Sequence, residues 1–313
     1  MRSAIFGTGG VGGYFGGRLA QAGHDVTFIA RGKHLAAIKK NGLRVESILG
    51  DFIVKPVQAT DNPGQVGQVD IILVAVKAWD VPSAAEAIQP MLGENTLVIP
   101  LENGVEAPGQ LSSVLGKAHV LGGLCRISAF ISAPGVIKHV GVPPYIAFGE
   151  LDNALSQRVK ELVDVFAHLD GVSVDVPKDI HKAMWEKFVF IAAVSGAGAV
   201  TRQPIGVVRS LPESRAMLLH AMEEVVTVGR ACGIDLDRDT AGRVMSSIVD
   251  RAPEGTIPSM QKDIMEGNRS ELGEQTGAVV RLGREKGIPT PVNEFIYASL
   301  LPMEQAALAK INL

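Results

Sequence analysis

Cysteine is scarce in this chain: there are two among 313 residues, Cys125 and Cys232, far apart in the sequence. Two isolated cysteines without metal-ligand spacing predict buried, reduced thiols in a cytosolic protein. The seven histidines show no H-x-x-x-H pattern and no clustering with acids, and no G-x-S-x-G motif occurs. These absences predict that the protein has no metal site and no serine nucleophile of the hydrolase type.

Long apolar runs, basic blocks and low-complexity stretches are also lacking. No uninterrupted apolar run reaches the roughly 18 residues of a membrane span and no signal-peptide pattern opens the chain, so we predict a cytoplasmic location and no membrane partner. A formal net charge of −3 argues against nucleic acid as the partner. Hydrophobic residues make up 46% of the chain, which is enough to build a core.

At its very start the sequence contains an apolar strand that leads into a glycine-rich turn, Gly7–Gly12, and then into a helical segment. In such an arrangement the first glycine permits a tight turn, the second lets the backbone approach a pyrophosphate, and the third lets helix and strand pack closely. We predict a dinucleotide site here, with a purely structural glycine turn as the alternative. Its predicted cofactor-binding residues are Gly7, Gly9, Gly10, Val11 and Gly12.

The end of the second predicted strand, residues 24–30, indicates which dinucleotide binds. A site for NAD places an acid at this point to hold the ribose 2′-hydroxyl. Here Ala30 is followed instead by Arg31, Gly32 and Lys33. Because a guanidinium matches phosphate geometry, we predict NADP as the cofactor, with Arg31 on its 2′-phosphate. A solvated basic turn is the alternative.

The apolar pattern changes after about residue 176. Before it, strands alternate with helices, and the β-branched run at 69–76 is typical of a parallel strand buried on both faces. Short strands within 119–148 are expected to form antiparallel additions at one edge of that sheet. Beyond residue 176 long helical segments follow, among them 271–286 and a last one that ends at Asn312. We predict an α/β N-terminal domain over 1–176, with a Rossmann-type doubly wound sheet, and an all-α C-terminal domain over 177–313.

Lys187 is the candidate for chemistry that stands out in the second half. It opens the most apolar helical stretch of the chain, where an ammonium is costly to bury unless it is paired. Such a lysine suits a general acid. The alternative, which the spacing alone favours slightly, is that it snorkels to solvent or pairs with Glu186 or another acid.

Four further polar residues stand where a site is expected, and three of them have a structural alternative. Asn103 and Lys77 follow predicted strands at the edge where Rossmann ligands bind, although an Asn-Gly pair is also a common turn. Glu271 and Ser259 stand at predicted helix starts, where a favourable helix dipole and capping account for them without chemistry.

Together these segments resemble the ketopantoate reductase (2-dehydropantoate 2-reductase) family over essentially the whole chain. Six segments carry the resemblance in the same order, with Glu271 at the expected distance beyond them: Gly7–Gly12, Ala30–Gly32, Val76–Trp79, Glu102–Gly104, Trp185–Lys187 and Ser259–Asp263. The family reduces the 2-keto group of ketopantoate to pantoate with NADPH, on the route to coenzyme A. The resemblance implies NADPH as cofactor and a small 2-keto acid as partner. The apolar helices of the second half are either a homodimer face or core.

The resemblance also implies a role for each candidate. Lys187 would polarise the keto oxygen and donate the proton, while Glu271 would orient Lys187 and hold the substrate's hydroxyl. Ser259 would bind the substrate carboxylate. Asn103 would lie beside the nicotinamide and the substrate, and Lys77 near the adenine ribose and phosphates.

The chain departs from the family's pattern at two predicted substrate-binding positions. The family has asparagines four and eight residues after the lysine, where this chain has Ile191 and Ser195. A site that loses such an amide loses discrimination for a substrate hydroxyl. We therefore expect the reaction type to survive and leave the 2-keto acid open. The alternatives are a reductase of another branched or aromatic 2-keto acid and a non-catalytic dinucleotide sensor.

Overall fold

The computed structural model describes residues 1–311, and the chain divides into two compact units. The first unit consists of Met1–Glu102 and Glu106–Ile180, and the second of Asn103–Val105 and the chain from His181 onward. The segment Asn103–Val105, from the first half of the sequence, thus belongs to the second unit. A division of the sequence at a single boundary cannot describe this arrangement. The predicted end of the last helix, Asn312, lies outside the described residues.

The first unit contains twelve strands and five α-helices within the described residues. The strands are β1 (Arg2–Phe6), β2 (Asp25–Ile29), β3 (Leu43–Ser47), β4 (Phe52–Val54), β5 (Gln58–Thr60), β6 (Val69–Val74), β7 (Leu92–Pro100), β8 (Leu121–Arg126), β9 (Ala129–Ala133), β10 (Val136–His139), β11 (Tyr145–Glu150) and β12 (Ser173–Asp175). The helices are α1 (Gly10–Gln21), α2 (Gly32–Asn41), α3 (Val81–Ile88), α4 (Ala107–Leu115) and α5 (Gln157–Ala167).

A five-stranded parallel sheet forms the centre of this unit, in the order β5-β2-β1-β6-β7. The chain leaves β1 toward β2 on one side and returns through β6 on the other, so the strand order reverses between β1 and β6. In doubly wound sheets, ligands bind beyond the carboxyl ends of the strands at such a switch point. The predicted Rossmann-type sheet is confirmed.

Helices cover both faces of this sheet, which explains the apolar strands. Residues of α3 and α4, such as Val81, Ile88 and Leu111, pack on one face in a continuous buried cluster. On the other face, Phe15 and Leu19 of α1 join a second buried cluster. Strands buried on both sides lose their polar alternation, as β6 shows.

The strands after residue 119 are not the antiparallel additions that were predicted at the edge of the main sheet. The contact with that edge is a parallel bridge between Val98 of β7 and Val120, just before β8. The strands themselves lie elsewhere. They belong to two further sheets, β4-β3-β10-β9 and β12-β11-β8, which include the parallel pairs β3–β10 and β11–β12. The glycines of α1 give the reason for the first of these sheets. A Cβ at Gly13 would lie 2.7 Å from Ile137 and one at Gly17 3.1 Å from Phe52. Because the helix has no side chains at these positions, this sheet packs directly on it.

The second unit is helical in its described part, as predicted. Its helices are α6 (Ile180–Thr201), α7 (Ile205–Ser210), α8 (Pro212–Ala231), α9 (Thr240–Val244, continued by a π-turn over Met245–Val249), α10 (Ser259–Met265), α11 (Thr276–Lys286) and α12 (Pro291–Ile311). Small residues along α6 allow close packing. A Cβ at Gly196 would lie 2.9 Å from Ile296 of α12, and Gln261 of α10 lies against Gly198.

Helix α6 is long and apolar enough, by length and composition, to span a membrane, so the expectation that no segment qualifies needs correction for this helix. Within its most apolar window, 67% of the residues are buried inside the protein. Its side chains Phe188, Val189 and Ala193 belong to the main cluster of the second unit. This is the environment of a core helix.

Candidate active site

The glycine turn of the first unit provides a cradle for an anion. The first backbone hydrogen bond of α1 runs from Gly13 N to Gly9 O at 2.8 Å. The N–H groups of residues 10–12 therefore precede any intrahelical acceptor and point outward at the positive end of the helix dipole. A Cβ built at Gly9 would meet no atom within 4 Å. The space in front of the helix fits a pyrophosphate.

The other two glycines of the motif are required by packing. Gly7 has a φ of +100°, and a Cβ there would lie 2.6 Å from the carbonyl oxygen of Ala75. A Cβ at Gly12 would overlap the carbonyl oxygen of Gly7. Turn, helix and strand are therefore in backbone contact, as this motif demands.

Arg31 and Lys77 follow the carboxyl ends of β2 and β6, on either side of β1. Arg31 is exposed and precedes the first residue of α2. Lys77 is half-buried, with its Nζ 5.5 Å from the centre of the Trp79 ring. The buried carboxylate of Glu102 accepts a hydrogen bond from Val76 N at 3.0 Å and so fixes the loop that carries Lys77.

In the second unit, Lys187, Ile191 and Ser195 lie on one face of α6, because residues four apart are neighbours on a helix. The first two are half-buried and Ser195 is fully buried. The Ser195 hydroxyl has no hydrogen-bond partner among the described residues. Glu186 pairs with Arg243 at 3.3 Å rather than with Lys187.

Glu271 does not open a helix, so its helix-dipole explanation was wrong. It lies in turns that precede α11, and its side chain is 5% exposed. Gln275 closes this turn: its backbone N–H donates to Glu271 O at 2.9 Å, and its Nε2 donates to the Glu271 carboxylate at 3.3 Å. Burial raises the pKa of nearby Glu274 above its usual range, and the charge of Glu271 acts in the same direction.

Asn103 belongs to the second unit because the Asn-Gly turn packs beside residues 271–275. Gly104 has a φ of +117°, and a Cβ there would lie 3.3 Å from the carbonyl oxygen of Glu274. The structure therefore brings the turn that carries Asn103 against the segment that carries Glu271. No sequence spacing links positions so far apart.

Ser259 does not cap α10, so helix capping, the structural alternative for this residue, was wrong. It is the first residue of that helix and is exposed, while Pro258 occupies the cap position without a side-chain hydrogen bond. The helix itself contacts α6, where the Gln261 side chain lies against Gly198. The exposed Ser259 hydroxyl therefore has no capping role.

The predicted residues divide cleanly between the units. Those of the glycine turn, Arg31 and Lys77 are in the first unit; Asn103, Lys187, Ile191, Ser195, Ser259 and Glu271 are in the second. The sequence analysis did not identify Gln275 or His34 as candidate site residues. Gln275 follows Glu271 by four residues, a spacing that pairs side chains, but the turn rather than a helix produces the contact.

No group of three potential metal ligands from histidine, cysteine, aspartate and glutamate occurs within the described range 1–311. Cys125 is buried, as predicted for both thiols, whereas Cys232 is half-buried. Burial raises the pKa of the Cys232 thiol, which disfavours a reactive thiolate.

A doubly wound sheet with a glycine turn, followed by a helical unit, defines a class of dinucleotide-binding oxidoreductases. Two family models match this chain: ketopantoate reductase PanE/ApbA over residues 3–153, and its C-terminal model over residues 179–304. The chain belongs to the ketopantoate reductase family. It is therefore an oxidoreductase of a family that binds a dinucleotide and acts on small molecules.

Similar proteins cover nearly the full chain. The uncharacterized oxidoreductase YkpB of Bacillus subtilis is 30% identical over 303 residues, covering 96% of this chain and 98% of that protein. The PanE/ApbA family ketopantoate reductase structure from Ralstonia eutropha is 32% identical, covers 98% of this chain and 100% of that one, and has a TM-score of 0.87. D-mandelate dehydrogenase, solved with NADH and anilino(oxo)acetate, shares the fold at 22% identity, with a TM-score of 0.89 over 98% and 99% of the two chains.

Proposed function

We propose that this protein is a cytoplasmic NADPH-dependent reductase of 2-keto acids, with ketopantoate, reduced to pantoate, as the first candidate substrate. The observation that carries the proposal is Lys187, which is half-buried on α6 with no ion pair or hydrogen bond to the residues that the structure describes. Family membership supplies the reaction type. A homodimer stays a prediction, which sedimentation of the purified protein tests.

In this proposal the first unit binds the dinucleotide. The N–H groups at the start of α1 hold the pyrophosphate, with Gly9 allowing close approach. Arg31 would bind the 2′-phosphate, and Lys77 would contribute a cation to the adenine ribose and phosphates. When bound, the reduced nicotinamide supplies a hydride to the keto carbon.

The second unit supplies the proton and the substrate contacts. Lys187 Nζ polarises the keto oxygen and transfers a proton to it as negative charge develops there. The Glu271 carboxylate is held by Gln275 and does not pair with Lys187 in the described structure. With substrate bound, it would orient the ammonium and accept a hydrogen bond from a substrate hydroxyl. Ser259 would bind the substrate carboxylate, and Asn103 would contact the substrate and the nicotinamide. The Ser195 hydroxyl, without a partner in the described part of the chain, is able to bond a polar group of the ligand.

A second candidate is the same reduction of a more apolar branched or aromatic 2-keto acid. Ile191 favours it, because an isoleucine beside Lys187 replaces a polar contact by an apolar one. D-mandelate dehydrogenase, a protein of the same fold, was solved with the aromatic ligand anilino(oxo)acetate, which supports this candidate. Oxidation of NADPH, followed by its absorbance with ketopantoate and with branched and aromatic 2-keto acids, separates the candidates.

Faster turnover of a 2-keto acid that lacks the 4-hydroxyl would show that ketopantoate is not the preferred substrate. The proposed reaction type would remain. Silence with every 2-keto acid, alongside tight NADPH binding, would instead support a non-catalytic dinucleotide sensor. The relevant quantity is kcat/KM, since it measures discrimination between substrates.

Ile191→Asn is expected to raise kcat/KM for ketopantoate by roughly tenfold, because an amide then pairs with the substrate's polar group beside Lys187. Ile191→Val, which keeps an apolar surface, is the matched control and should change the ratio between substrates little. If Ile191→Asn lowers turnover of ketopantoate and apolar 2-keto acids equally, position 191 does not select the substrate.

Arg31→Ala is expected to weaken NADPH binding by about tenfold to a hundredfold while NADH affinity changes little, because only NADPH carries the 2′-phosphate. Lys40→Ala removes an exposed cation at the opposite end of the same helix and is the control. Titration of intrinsic fluorescence with each dinucleotide measures both constants. Equal weakening of NADPH and NADH would contradict the assignment of Arg31.

A further inference from the structure

His34, in the first turn of α2, makes two hydrogen bonds to separate parts of the first unit. Its Nδ1 accepts from the backbone N–H of Gly135, at 3.0 Å, in the turn between β9 and β10. Because Nδ1 accepts, the ring proton of the neutral imidazole is on Nε2. Nε2 therefore donates to the carbonyl oxygen of Thr8 in the glycine turn, at 2.9 Å.

Both contacted segments border the anion cradle. Thr8 is also tied to the end of β2, since its N–H and hydroxyl both donate to Ile29 O, at 3.1 and 2.9 Å. The β9–β10 hairpin borders the cradle at the end opposite Gly135, where β9 begins. A Cβ on Gly10 would overlap the carbonyl oxygen of Ala129 there. His34 thus joins the glycine turn, the helix that follows Arg31, and this hairpin.

We propose that His34 is a positioning residue of the dinucleotide site, whose neutral imidazole holds the glycine turn, the Arg31 turn and the β9–β10 hairpin in the arrangement that binds the dinucleotide. The inference rests on dinucleotide binding by the first unit and not on the identity of the 2-keto acid. Because Thr8 belongs to the glycine turn, loss of His34 weakens the binding of NADH as well as of NADPH, whereas loss of Arg31 weakens NADPH alone.

The arrangement depends on the protonation of the imidazole. Burial lowers the pKa of His34 below its ordinary value, while its hydrogen bond to Thr8 acts in the opposite direction. A proton on Nδ1 would face the Gly135 N–H, so the bridge is present above the ordinary histidine pKa and is lost as pH falls through the lowered one. The charged side chains on and beside α2 and on β10 are all cationic: Arg31, Lys33, Lys39, Lys40 and Lys138. His139 is a further titratable group on β10, and the glycine turn and β5 have no charged side chain.

Three variants of the full-length protein test the two bonds separately. His34→Leu removes both, His34→Asn keeps an acceptor near the Nδ1 position, and His34→Gln keeps a donor near the Nε2 position. We expect His34→Leu to raise Kd for both NADH and NADPH by about tenfold, and the two amides to recover part of that loss. His119→Leu, which removes a half-buried ring bonded to Thr96 O, is the control and should leave both constants unchanged.

The pH profile provides a readout that loss of folding does not imitate. NADH is the probe, since it lacks the 2′-phosphate that itself titrates near pH 6. From about pH 7.5 to about pH 5.5 we expect Kd to rise for the native protein and to stay nearly flat for His34→Gln. An equal rise in both, or a folded His34→Leu protein with unchanged Kd, would overturn the proposal. Should His34→Leu fail to fold, the amide variants and the profile decide.

Discussion

Lys187→Ala is expected to lower kcat for NADPH-dependent reduction of the 2-keto acid by about 10² to 10⁴, the range that a positioned general acid contributes. Dinucleotide affinity should persist, because Lys187 is in the second unit and the anion cradle in the first. Stopped-flow absorbance of NADPH measures the rate, and fluorescence titration measures the affinity. The structural reason is that Lys187 is half-buried on the face of α6 that it shares with Ile191 and Ser195.

One further variant separates the effect of charge from that of proton transfer, and another is the control. Lys187→Arg keeps a cation that does not release a proton at working pH, so it should remain almost as slow as Lys187→Ala. Lys182→Ala removes a lysine from the same helix that pairs with Asp237 at 3.1 Å, and it should retain normal turnover. A kcat for Lys187→Ala within about tenfold of the native value would rule out the role as acid.

Gly9→Ala and Gly12→Ala are expected to fail in opposite ways, although the two glycines belong to the same turn. At Gly9 a methyl group meets no protein atom and φ is −80°, so the fold should be unaffected. The methyl would fill the anion cradle, and we expect Kd for NADPH to rise at least tenfold, or about 1.4 kcal/mol. At Gly12 the methyl overlaps the Gly7 carbonyl, which should cost about 1–3 kcal/mol of stability.

Thermal melting and NADPH titration on each variant check this pair. Gly109→Ala, at an exposed position of α4 with open space at its Cβ, is the control for glycine replacement and should change neither quantity adversely. If Gly9→Ala melted early with normal affinity when folded, the glycine would serve packing and not the pyrophosphate. A stable Gly12→Ala protein would contradict the backbone contact between helix and turn.

The local chemistry of this protein could be predicted from its sequence. The glycine turn after a short strand, the absence of an acid after β2, and the order of buried strands followed by apolar helices each depend on neighbouring residues. The same holds for Lys187, Ile191 and Ser195, since a helix places residues four apart on one face whatever surrounds it. Patterns with a period of two or 3.6 residues are local, so they can be recognised without knowledge of the fold.

The tertiary structure decided what depends on distant contacts. The strands after residue 119 were expected as antiparallel additions to the main sheet but form parts of two further sheets. One of these packs on the glycines of α1, and the other meets β7 through a parallel bridge at Val120. Glu271 was expected in a helix and lies in a buried turn held by Gln275, beside the turn that carries Asn103. Thr8, His34 and Gly135 meet only because two loops and a hairpin fold together. Backbone contacts between remote segments produce no periodic pattern in a sequence, so they emerge only when the chain is packed.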